Sequence, residues 1–170
     1  MPYVDPASIH NPATGAVATA AWGDQLRDND EWFAEPPSCR VYHSTTQNLS
    51  ASTFTALNAN SELWDSASMH STSSQTSRIT VGTAGKYLFT ATVEFEANAT
   101  NTRYARWLVS GSTTYPFGAV PAMTGVGVRL SGATVLSLSA GAYVEVQAWQ
   151  NSGSTITGQL LEFSCVYQSR

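Results

Sequence analysis

Two consecutive prolines, Pro36 and Pro37, separate stretches of this chain that obey different periodicities. A proline has no backbone N–H, and it pushes the residue before it out of the helical region, so a helix running toward Pro36 has to stop there. Upstream, residues 19–35 carry helical spacing. Trp22, Leu26, Asn29 and Phe33 recur at intervals of three and four, and Asp24, Asp28, Asp30 and Glu31 fill the rest. Thr19 precedes the first of these and is read as the N-cap. Pro2, Pro6 and Pro12 keep the residues before it extended, with a turn at Thr14-Gly15. Downstream of the prolines the helical spacing disappears. The chain therefore divides into an N-terminal segment of arm and helix, 1–37, and a head, 38–170.

The head reads as all-β. Tyr87, Phe89, Ala91, Val93 and Phe95 alternate with Lys86, Thr90, Thr92, Glu94 and Glu96. Tyr143, Glu145, Gln147 and Trp149 oppose Val144, Val146 and Ala148, and Leu161, Phe163, Cys165 and Tyr167 share one face. Strands are expected over 78–81, 86–96, 102–110, 127–130, 134–138, 143–150 and 159–168, after a first strand that starts at Cys39. Residues 44–76 read as a short strand pair plus long surface loops, and 111–126 as another exposed excursion. Many short strands with turn signals between them predict a β-sandwich or jelly roll.

Composition narrows the function. Only 12% of the residues are charged, and Ser and Thr make up roughly a quarter of the chain, so hydroxyls and amides cover the surface. A net charge of −4 with Lys86 as the single lysine gives no electrostatic footprint for nucleic acid or an anionic membrane. No apolar run reaches the length of a membrane span, and residues 1–6 have neither a basic nor an apolar region of a signal peptide. Cys39 and Cys165 lie in the first and last strands, which are neighbours in many Greek-key sandwiches. They are either a disulfide or two buried thiols.

Little in the sequence points to catalysis, and no cofactor is expected. His10, His43 and His70 are scattered, without metal-ligand spacing to each other or to a cysteine. No nucleophile elbow and no phosphate-binding loop is present. Glu94 and Glu96 fall on one face of one strand about 7 Å apart, which is the one carboxylate pair a glycosidase reading could use. A polar outer face, or a subunit contact with Arg103 or Arg106 on the next strand, is the preferred reading of them. Trp64, Tyr115, Phe117 and Trp149 could stack on a sugar ring if exposed, but filling the core or the trimer axis is the preferred reading. Tyr104 and Trp107 alternate with Arg103 and Arg106, a pattern that suits an interface strand.

Two stretches carry a resemblance. Gly85-Lys86-Tyr87-Leu88-Phe89 after Ile79-Thr80-Val81, and Leu138-Ser139-Ala140-Gly141-Ala142-Tyr143-Val144-Glu145-Val146, each send a glycine turn into an aromatic-bearing strand. They resemble the C1q/TNF-like jelly roll, although Ala142 stands where that family usually has Asp. The resemblance implies a jelly-roll head that assembles as a homotrimer. Residues 11–29, with Ala21-Trp22-Gly23-Asp24-Gln25-Leu26-Arg27-Asp28-Asn29, are similar to the start of minor structural proteins of tailed bacteriophages.

Together these readings predict a bacteriophage virion protein: a trimeric, surface-displayed knob attached by its N-terminal segment, and not an enzyme. It would be made in the host cytoplasm without a signal peptide. Trp22, Leu26, Arg27, Asn29, Trp32 and Phe33 are the expected attachment residues. Tyr104, Arg106, Trp107 and Trp149 are the expected trimer contacts. The short Pro36-Pro37 tether favours a capsid decoration or head-spike protein whose partners are major capsid or tail proteins. The alternatives are a tail-tip or tail-fibre protein recognising a host glycan through 44–76 and 111–126, and, more remotely, a polysaccharide-cleaving enzyme.

Overall fold

The computed structural model describes residues 19–169. The arm, the Thr14-Gly15 turn and His10 lie outside them. The chain forms two compact units, Met1–Pro37 and Ser38–Arg170.

In the first unit, α1 spans Ala20–Ala34. Thr19 caps it, its hydroxyl oxygen accepting from the Trp22 N–H at 3.3 Å, and the Glu35 N–H closes the last turn on the Glu31 carbonyl at 3.0 Å. Pro36 follows at once, which is why the helix ends there. Asn29 and Trp32 are buried, whereas Leu26 and Phe33, seven residues apart, form an exposed stripe. Arg27 is tied to its own helix, reaching Asp24 at 2.9 Å, Asp28 at 3.3 Å and Glu31 at 3.7 Å.

The head is a sandwich of two antiparallel sheets. Its strands are β1 Ser38–Tyr42, β2 Gln47–Leu49, β3 Thr55–Ala56, β4 Ser61–Asp65, β5 Arg78–Thr80, β6 Gly85–Phe95, β7 Thr102–Val109, β8 Thr113–Pro121, β9 Val128–Leu138, β10 Tyr143–Gln150 and β11 Ile156–Ser169. One sheet runs β4-β1-β11-β6-β9 with β2 also on β11, and the other runs β3-β10-β7-β8 with β5 also on β10. This is the C1q/TNF-like jelly roll that the glycine-turn motifs implied.

The alternating residues fill the space between the sheets. Tyr87, Phe89, Ala91, Val93 and Phe95 are all buried, as are Val144, Val146 and Ala148. Trp107 of β7 crosses from the five-stranded sheet to meet Phe89 and Phe163 of the six-stranded one, with ring centroids 6.3 and 6.0 Å away, and Phe117 of β8 at 4.7 Å. Trp107 is therefore a core residue, and its assignment to a trimer contact is corrected. Its side chain points inward because it shares a face with Ala105 and the buried Arg103.

Three strand expectations also change. The pairing of β11 with β6 slips between Leu160 and Glu162, so Leu160 rather than Leu161 takes the buried position. The two strands expected on either side of Gly132 are one strand, β9. An added Cβ at Gly132 would lie 2.5 Å from the Phe117 Cβ, so the glycine keeps the strand continuous beneath that ring. The excursion at 111–126 contains β8, an edge strand that tolerates Pro116 where its pairing with β7 shifts.

Cys39 and Cys165 are direct register partners in β1 and β11. The disulfide considered from the sequence is not formed; both are free, buried thiols. Burial pushes both thiols up, which keeps them protonated and unreactive, and it pushes the Tyr87 phenol up to about 12. A proton held more tightly in the folded state stabilises fully below the unfolded pKa, and that stability is lost as pH rises toward the folded value. In urea denaturation the stability should therefore begin to fall above about pH 8.5 for the thiols and about pH 10 for Tyr87, by at most about 1.4 kcal/mol per pH unit for each group. A Cys39→Ala/Cys165→Ala variant should lose the part of the decline that starts at the lower pH.

Candidate functional site

With the core sealed, interaction chemistry is left to the outer faces and edges of the sandwich. On the five-stranded sheet, Tyr104 and Trp149 are register partners on β7 and β10, and Arg106 and Gln147 are the next outward pair. Phe54, just before β3, leans on both aromatics, edge-on to Tyr104 at 5.6 Å and tilted over Trp149 at 6.2 Å. The Arg106 guanidinium lies over the Phe54 ring, 3.4 Å from its centroid, and its Nε donates to Gln147 Oε1 at 2.8 Å. Further along the same face, Arg78 stacks on Tyr143 at 3.9 Å and donates to Glu145 at 3.2 Å. Tyr104, Arg106 and Trp149 thus form one surface cluster. Phe54, which organises it, sits in a stretch with no strand alternation and could be found only from its bulk.

The outer face of the six-stranded sheet is rich in hydroxyls. Thr90 and Ser164 share a hydrogen bond of 2.6 Å, Thr92 and Ser131 one of 3.0 Å, and Arg40 pairs with Glu162 at 2.8 Å. Large apolar side chains lie exposed at opposite edges of the sandwich. On β4, Leu63 and Trp64 are 57% and 48% exposed; at the β8–β9 edge, Tyr115 and Val135 are 44% and 57% exposed. Tyr115 and Val135 flank a groove of about 400 Å³ that also includes Val109, Thr113 and Leu136. Leu63 and Val135 were not singled out from the sequence. Their positions on the outside of edge strands become visible only once the strand order is known.

Glu94 and Glu96 turn to different partners. Glu94 pairs with Arg129 of β9 at 3.3 Å, and Glu96 accepts from the Thr157 hydroxyl of β11 at 2.5 Å. They line an open cleft of about 310 Å³ with Thr46, Gln159 and backbone at Gly127 and Gly158. The expected partners Arg103 and Arg106 are not the residues that pair with them. Arg103 is buried and donates to the carbonyls of Asn98, Thr100 and Thr102, locking the β6–β7 loop. Burial lowers its pKa, with Glu96 acting in the opposite sense.

His70 is enclosed between Glu62 Oε1 at 2.8 Å and the Thr76 carbonyl at 3.1 Å. Together with Asp65, which accepts from the backbone of Ala67, Met69 and His70, it orders the loop after β4. His43 contacts the Thr45 carbonyl. Among the described residues no group of three or more His, Cys, Asp or Glu is placed to hold a metal, and no helix is long and apolar enough to cross a membrane.

No protein-family model matches the chain, and no curated protein matches it significantly. Solved structures do match in fold. The globular domain of zebrafish complement 1qA superposes with a TM-score of 0.60 at 16% identity, covering 79% of this chain and 99% of that one. Murine APRIL superposes at 0.52 with 15% identity, covering 74% and 98%. The PRD1 vertex protein P5 superposes at 0.54 with 16% identity, covering 77% and 96%.

The two tryptophans should separate core from surface experimentally. Trp107→Ala should cost about 3–5 kcal/mol in urea denaturation, as expected for removing a large aromatic from a packed core. Trp149→Ala, on a half-open face, should cost clearly less.

Proposed function

We propose that this protein is a non-enzymatic virion component, a homotrimeric knob displayed on a bacteriophage particle and held there by its N-terminal unit. The observation that carries the reading is the placement of exposed apolar side chains on two different edges of one sandwich. Leu63 and Trp64 mark one edge, and Tyr115 and Val135 mark the other. A contact that joins two different patches of identical chains is head-to-tail, and it closes into a ring when the rotation per chain allows. The β8–β9 edge of one protomer would pack across the hydroxyl-rich six-stranded face near Trp64 of the next. On that face Arg40 is already paired with Glu162 and Arg129 with Glu94, so these charges need no new partner across the contact. Three copies is the number that the C1q-like resemblance implies.

This arrangement moves the expected trimer contact. Tyr104, Arg106 and Trp149 lie on the other sheet and would face outward. The likeness in fold to a phage vertex protein, together with the phage-like residues 11–29, supports a place on a particle. In the N-terminal unit, the exposed parts of Leu26 and Phe33 would give another virion protein an apolar contact. The short Pro36-Pro37 link keeps the head close to its mount, which favours a capsid decoration or head spike over a long fibre.

Light scattering on the purified chain should give three times the chain mass of 18.1 kDa. Val135→Lys should reduce it to a single chain mass without unfolding the head, since the residue is exposed in the protomer. A wild-type monomer at micromolar concentration would refute the assembly. Removing residues 1–37 should leave a folded head that no longer joins particles, whereas particles that still carry it would refute the assigned role of the N-terminal unit.

A further inference from the structure

Of the six arginines among the described residues, five are accounted for. Arg27, Arg40, Arg78 and Arg129 each pair with a carboxylate, and Arg103 is spent on backbone carbonyls. Arg106 has neither kind of partner. Its guanidinium is held by the Phe54 ring, 3.4 Å away, and by one hydrogen bond from Nε to Gln147, and no described residue engages its two terminal nitrogens. In a chain with a net charge of −4, a positive charge fixed in place without an anion is itself a feature to be explained.

We infer that Arg106, Phe54, Tyr104 and Trp149 form a binding site for a saccharide that bears a carboxylate. The terminal nitrogens of a clamped guanidinium present two parallel donors, the geometry that matches a carboxylate, and the stacking keeps the fork oriented before a ligand arrives. Aromatic side chains beside it offer π surface to the C–H face of a sugar ring, and Phe54 remains more than a third exposed. Gln147, the cross-strand neighbour of Arg106, accepts from its Nε and is a positioning residue. The site is complete within one protomer and does not depend on the trimer.

The full-length protein is titrated with a uronic acid tetrasaccharide, a neutral glucose tetrasaccharide and a tetraglutamate peptide, and tryptophan fluorescence and calorimetry are followed. The acidic sugar should bind at least tenfold more tightly than either control, and more weakly as salt rises. Arg106→Gln should abolish that preference, while Arg106→Lys should restore only part of it because it keeps the charge and loses the fork. Thermal melts confirm that each variant is folded, and light scattering on the same samples reports assembly separately. Equal binding of the neutral sugar, equal binding of the peptide, no binding at millimolar acidic sugar, or an unchanged preference in Arg106→Gln would each overturn the assignment.

Discussion

The contact on which the rest of the head depends is the aromatic cluster around Trp107. One indole from β7 meets Phe89 and Phe163 from the opposite sheet and Phe117 from β8, so a few rings tie both sheets and one edge together. Rings of this size remove large apolar areas from water, and tilted packing adds a further contribution beyond area. Because Phe117 rests on Gly132, the same cluster also sets how closely β8 approaches β9. The groove and the exposed edge at Tyr115 and Val135 follow from that approach.

Once the interior is closed in this way, the two outer faces become chemically different. The six-stranded face carries paired hydroxyls and two compensated ion pairs, Arg40–Glu162 and Arg129–Glu94. The five-stranded face carries an aromatic and arginine cluster with an uncompensated charge. In the assembly proposed above, the first would pack against the β8–β9 edge of the next protomer. The second suits a ligand with both a ring and an anion. A particle-displayed knob that assembles through one face and keeps the other outward would use both.

Much of the fold was legible because alternation is a local property. The buried sets of β6 and β10 can be read directly from residues 87–95 and 144–148, and the helix limits from Thr19 and Pro36. What was not legible depends on strand order or on single irregularities. Trp107 looked like a surface residue because its neighbours Arg103 and Arg106 are both cationic. Yet Arg103 points inward and Arg106 outward, and only the loop carbonyls that receive Arg103 make its burial affordable. Leu161 was misplaced by one bulge, which reverses every face assignment upstream of it. The edge residues Leu63 and Val135 give no sequence signal at all, since an apolar residue on an edge reads like one in a core.

An electron cryomicroscopy map of the purified full-length protein tests the central claim most directly. The account predicts three heads around one axis, with Tyr115 and Val135 of each protomer against the six-stranded face near Trp64 of the next, and with Phe54, Arg106 and Trp149 facing solvent. Protomers joined instead through the Phe54–Trp149 face, or heads that remain single, would contradict it.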